Sequence, residues 1–194
     1  MPDLLADEGD ALVLPVIVVP DGLAKDARTG KTTTEPSSVY RQVLDLVHAK
    51  IGATTIYLAP ANRFGGPITE QEAAWNYLSR MGRRNLVAPV YQTPPYVDTW
   101  GNAVLLRRFL ERSEQWPLQP VILAVARRHS RRARFCFERN GFIISDMLTP
   151  DYDIPADAQI VSRLWYYRFP VIHRVYESLA LMRDMIRPSA YIRI

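Results

Sequence analysis

The chain has 194 residues, 48% of them apolar and 23% charged, with 24 Lys and Arg against 20 Asp and Glu for a formal charge of +4. That composition excludes an intrinsically disordered chain and suits one globular domain with a full core. The single cysteine, Cys136, excludes an intramolecular disulfide framework and any multi-cysteine metal cluster.

Val16 to Val19 is a continuous β-branched run, which predicts a strand buried on both faces, and it ends at the turn signal Pro20-Asp21-Gly22. The spacing of Val39, Val43, Leu46 and Val47 predicts a helix over 39–50 that stops near Gly52. Thr54 to Ala59 reads as a second strand, followed by a helix over 69–81 capped by Thr69 and closed by Gly82. A weaker third strand spans 85–91. Asp98 or Thr99 caps the next helix, which runs to about Glu114 with Leu105, Phe109 and Leu110 on its apolar side. Val121 to Ala126 is a further buried strand, Ser130 to Asn140 a helix ended by Gly141, and Phe142 to Ser145 a short fifth strand. Thr149 to Ala158 is an acidic, proline-containing loop. A last amphipathic helix over 170–186 carries Val171, Val175, Leu179, Met182 and Ile186 on one stripe.

Strands alternating with helices of this length predict a three-layer, Rossmann-like α/β fold, a parallel sheet with helices on both faces. The chain reads as one domain, with a core over about 11–146 and a C-terminal loop and helix over 147–194. The longest apolar stretch, Ala11 to Pro20, is too short for a bilayer and holds two prolines, and the residues before it are acidic. A soluble, cytoplasmic protein without membrane contact is the expectation.

In an open parallel sheet, ligands bind beyond the carboxyl ends of the strands, where helix N-termini also point. Gly30-Lys31-Thr32 looks like the end of a phosphate-binding loop, but Lys25 stands where that loop needs glycine, and Thr33-Thr34-Glu35-Pro36 resists a helix. A flexible loop over the crevice is the expectation there. No GxGxxG or GxSxG follows a strand. The histidines His48, His129 and His173 show no metal-ligand spacing, so no metal site is expected. His48 and His173 read as structural or surface residues, and Cys136 as a small core residue.

Charge gives the strongest signal. Of the basic side chains 21 are arginines; residues 1–97 carry nine basic against ten acidic groups, and residues 98–194 fifteen against ten. A GC-rich genome explains such a total better than it explains a cluster. Arg127-Arg128-His129-Ser130-Arg131-Arg132 starts at the end of a buried strand and enters a helix, where cations oppose the helix dipole. Arginine's planar fork suits phosphate or carboxylate oxygens, which predicts an anion site at Arg128 and Arg132 with His129 beside it. Asp98, Thr99 and Asn102 open the preceding helix at the same edge. Glu70 opens another, either complementing its dipole or serving as an acid or acceptor for a ribose hydroxyl.

These segments resemble the YdcF/SanA/ElyC family, a Rossmann-like group of undefined activity. The matching residues are Gly22, Arg41, Thr69-Glu70 with Tyr77-Leu78 and Gly82, Asp98-Thr99 with Asn102-Ala103, and His129, Arg132-Ala133, Phe137 and Gly141, in order over residues 11–142. Arg174 and Glu177 are similar to residues of the family's closing helix. The chain differs in having Pro20-Asp21-Gly22 for a Gly-Gly turn, Ala59-Pro60-Ala61-Asn62 for Ser-Gly-Gly, and Gly101 for a glutamate. The resemblance implies S-adenosylmethionine as a candidate ligand.

The leading expectation is therefore a crevice for a small anionic or nucleotide-like ligand: S-adenosylmethionine, a nucleotide or a phosphorylated metabolite. Arg132 and Arg128 would hold its negative group. Gly22, Arg41, Asn62, Asp98 and Thr99 would line it, and His129, Asn102 and Glu70 would orient or process it. If a reaction occurs, phosphoryl or pyrophosphoryl hydrolysis suits this set better than acyl chemistry. Two alternatives stay open. One is a nucleic-acid-binding module using Arg107, Arg108 and Arg112 with Trp100 and Tyr96 as stacking surfaces. The other is a noncatalytic interaction protein using the last helix and Leu164-Trp165-Tyr166-Tyr167.

Overall fold

Five short strands build a parallel sheet in this computed structural model, which describes residues 14–26, 28–63, 66–90, 97–150 and 169–187. The strands are β1 (Val16–Val18), β4 (Ile56–Leu58), β5 (Leu86–Val87), β6 (Val121–Ala124) and β7 (Ile144–Leu148), in the spatial order β5-β4-β1-β6-β7. Every neighbouring pair is parallel, with Val16 opposite Ile56 on one side and Ile122 on the other. The last strand lies slightly later than the expected 142–145.

Because strand side chains alternate, β1 feeds two cores. Val16 and Val18 join Tyr40, Val43, Leu44 and Val47 of α1 (Ser38–Lys50) and Leu78 of α2 (Glu70–Arg80). Ile17 and Val19 face Leu106 and Leu110 of α3 (Thr99–Arg112) and Phe137 of α4 (Ser130–Arg139). This is the three-layer, Rossmann-like α/β fold that the alternating pattern predicts. The chain steps outward from β1 to β4 and β5, then returns to the far side of β1 as β6. The strand order thus reverses between β1 and β6, the point at which open α/β sheets form their ligand crevice.

One expectation needs correction. The segment after Lys31 is not a loose loop: β2 (Leu23–Lys25) and β3 (Thr32–Pro36) form an antiparallel hairpin beside α2. Thr32 to Glu35 carries no apolar alternation, so its strand character comes from β-branched threonines and pairing alone. The last helix, α5 (Pro170–Met185), forms as expected and packs on α4 and on the 3-10 turn Arg127–His129. Its buried face holds His173, Ala180, Leu181 and Asp184, whereas the stripe from Val171 (72% exposed) to Ile186 (83% exposed) points outward. The helix is thus attached by its charged side. No helix among the described residues is long and apolar enough to cross a membrane.

Candidate functional site

The turn after β1 and the first residue of α2 meet at the crevice. Gly22 takes φ +90°, a conformation that favours glycine, and its amide donates to Glu70 Oε1 at 2.5 Å. Ser37, the cap of α1, donates its hydroxyl to the Asp21 carbonyl at 2.7 Å and its amide to the Gly22 carbonyl at 3.0 Å. These bonds seat Asp21 and Glu70 together, 6% and 5% exposed. Burial, then the negative charge of Asp21, pushes the Glu70 carboxyl up to about 8, while the Gly22 amide pulls the other way. The Tyr40 hydroxyl is fully buried without a hydrogen-bond partner, and burial and both carboxylates raise its phenol. Sequence reasoning singled out Gly22 and Glu70 but missed Asp21 and Tyr40. For Asp21 the available signal was an acid within the turn that follows the first buried strand.

Asn62 and Asn102 fasten the crevice walls. Asn62 accepts from the Val97 amide at 2.7 Å and donates to the Val97 carbonyl at 2.5 Å, and its own carbonyl receives the Glu70 amide at 3.0 Å. The Asn102 side chain donates to the Pro60 carbonyl. Both amides therefore tie the exit of β4 to the start of α3. A Cβ on Gly101 would lie 2.9 Å from Val97 Cγ1, so a larger residue there would have to displace that side chain. Thr69 and Glu72 cap α2 reciprocally, and Asp98 caps α3 through the Gly101 amide at 3.0 Å.

A second cluster joins Asp98, Thr99, His129 and Arg132 to α5. Arg132 Nη2 donates to Thr99 Oγ1 at 2.6 Å, Nη1 reaches both Glu177 oxygens at 3.2 Å, and Nε lies 3.3 Å from Asp184 Oδ2. His129 Nε2 sits 2.9 Å from Thr99 Oγ1 and Nδ1 sits 3.2 Å from Glu177 Oε2. Thr99 Oγ1 thus lies between the Arg132 guanidinium and His129, and the His129 ring spans Thr99 and Glu177. Burial alone would raise the Glu177 carboxyl, but His129, His173 and Arg132 outweigh it and hold it well below the usual carboxylate range. Asp98 is likewise held low, burial being outweighed by the Gly101 amide, Arg187 and Arg183; Arg187 Nη1 stands 2.7 Å and Arg183 Nη2 2.9 Å away. The carboxylates facing Arg132 thus belong to the chain itself. Sequence reading had no signal for Asp184 or for the part of Glu177 in this network.

The remaining candidates lie apart from these clusters. Arg41 is exposed, with Nη2 3.4 Å from the Pro36 carbonyl, and Arg128 is half-buried on the 3-10 turn. Trp100 is 1% exposed and packs on Val104 and Cys136, which corrects its reading as a base-stacking surface. Tyr96 and the 164–167 segment lie outside the described residues. Cys136 is buried as expected, its thiol raised first by burial and then by Asp184. Among the described residues no group of three or more His, Cys, Asp or Glu is arranged to hold a metal ion. A surface depression of about 490 Å³ between β3 and α2, lined by Glu35, Trp75 and Arg80, shares no residue with the crevice.

Site and sheet together define a Rossmann-like α/β domain with its candidate residues at the strand-order reversal. No family model, curated protein or solved structure matches the chain.

Proposed function

We propose that the protein binds a small nucleotide-like ligand in the crevice beyond β1, β4 and β6. The observation that carries this reading is Glu70: a buried carboxyl held against the Gly22 amide where the strand order reverses. A carboxyl that keeps its proton near neutrality is suited to donate to a ligand oxygen, and to a leaving oxygen if a phosphoryl or pyrophosphoryl group is hydrolysed. The ligand's negative group would lie beside the 3-10 turn, where Arg128 carries a planar fork suited to phosphate or carboxylate oxygens. The ordered resemblance to the YdcF/SanA/ElyC family supports the same region and S-adenosylmethionine as one candidate.

The test is a thermal-shift panel of S-adenosylmethionine, adenosine, AMP, ADP, ribose 5-phosphate and inorganic phosphate on wild type and Glu70→Gln. A ligand at 100 times its Kd adds about 2.7 kcal/mol, worth roughly 5–11 °C in a chain of this size. At least one nucleotide-like compound should raise the wild-type midpoint and fail to raise that of the variant. No shift in wild type, or equal shifts in both proteins, defeats the proposal.

A second reading, an interface between two copies of the chain, is favoured by α5. Val171, Val175, Leu179, Met182 and Ile186 form an exposed ridge along a 16-residue helix, which is about 24 Å long. A single apolar ridge is self-complementary about a two-fold axis, and Arg183 and Arg187 beside it are already paired with Asp98 and Asp184. Light scattering should give a dimer for wild type and a monomer for Val175→Lys with Leu179→Lys. A monomeric wild type removes the reading.

A further inference from the structure

Within the crevice reading, on which this inference rests, we propose that Asp21, Glu70 and Tyr40 form one subsite for a vicinal diol of the ribose type. Three observations converge on it. Two carboxyl groups from different elements, the β1 turn and the α2 start, are buried side by side. The Gly22 amide fixes Glu70 through Oε1. The Tyr40 hydroxyl, completely buried beside both carboxylates, has no hydrogen-bond partner. Buried hydroxyls are nearly always satisfied, so an orphan at a crevice marks a position where a bound group completes the bonding.

The chemistry favours a neutral hydroxyl pair over an anion or a cation. Burial and the negative charge of Asp21 let Glu70 keep its proton near neutrality, so the pair presents one donor and one charged acceptor. A diol meets both: one hydroxyl oxygen accepts the carboxyl proton, and a hydroxyl proton goes to the carboxylate. Tyr40 can donate to the remaining oxygen lone pair. A phosphate placed here would meet the negative carboxylate. The β1 and β6 ends are neighbours in the sheet, so the Arg127–His129 turn that follows β6 lies on the side of the crevice next to the β1 turn.

The test compares adenosine and ribose 5-phosphate with 2′,3′-dideoxyadenosine by calorimetry on wild type, Asp21→Asn and Tyr40→Phe. Hydrogen bonds to charged groups predict that wild type prefers adenosine over the dideoxy compound by about 10–100-fold. Asp21→Asn should lose most of that preference while binding the dideoxy compound as wild type does. Tyr40→Phe should weaken it by a smaller factor. Equal binding of adenosine and its dideoxy analogue by wild type overturns the subsite, as does undiminished preference in Asp21→Asn, or no binding of either ribose compound. If phosphate-bearing compounds still stabilise wild type in a Glu70-dependent way, the crevice reading survives that failure.

Discussion

Arg132→Ala is expected to lower stability by about 3–5 kcal/mol and to release α5 from the domain. The guanidinium is buried between Glu177, Asp184 and Thr99, so its removal takes away the one buried guanidinium that the two carboxylates share and leaves Asp184 to Arg183 and Arg187 and Glu177 to His129 and His173. Urea unfolding measures the loss, and limited proteolysis within residues 169–187 reports the release. Glu177→Gln with Asp184→Asn added to Arg132→Ala should recover part of the stability, because neutral side chains replace the two carboxylates. An unchanged midpoint in the single variant would show that α5 is held by something other than this network.

The same network sets an acid limit. Glu177 ionises more readily folded than unfolded, so its contribution is fully present above the ordinary glutamate range and disappears as pH falls through the lowered folded value. Asp98, also held low, acts in the same direction. Loosening of α5 in acid is the consequence of both signs.

Glu70→Gln is expected to do the opposite, stabilising the protein at neutral and alkaline pH. The carboxyl rises from the ordinary 4.5 to about 8 on folding, so folding takes up a proton between those values and stability falls as pH rises through them. At pH 7 the penalty amounts to about 3 kcal/mol, and it stops growing above pH 8. Glutamine keeps an oxygen for the Gly22 amide and removes the charge facing Asp21. Urea midpoints for the two proteins should agree near pH 4.5 and separate by pH 8, the variant being the more stable. A less stable variant at pH 8 would mean that Glu70 is ionised and stabilising there. A residue that weakens its own domain in this manner suits a site whose ligand relieves the strain.

Much of the sheet was legible because its information is local. Val16 to Val19 and Val121 to Ala126 are apolar on both faces, and the caps Thr69 and Asp98 sit where strand-to-helix turns require them. The β2–β3 hairpin was not legible, since Thr32 to Pro36 lacks alternation and gains its strand form from pairing with Leu23 and Lys25. The orientation of α5 was not legible, for a physical reason. Apolar periodicity identifies a helix face but not its neighbour, and here Arg132 and His129 select the charged face of α5 from 45 and 48 residues away. Arg132 itself was legible as a cation at a helix start. The carboxylates it faces come from Glu177 and Asp184, which no local pattern relates to it. Glu70 was legible from its position, whereas its pairing with Asp21 depends on strand ends that meet only in the folded sheet.

The charge-fastened helix also bears on the order in which the molecule is made. Residues for the whole parallel sheet have left the ribosome once Leu148 has emerged, and domains begin folding from their N-terminal part during synthesis. His129 and Arg132 are then outside the ribosome before Glu177 and Asp184 emerge from it. Docking of α5 is therefore a closing step on a preassembled cationic surface, and a pause in translation between these two points exposes that surface to any polyanion nearby.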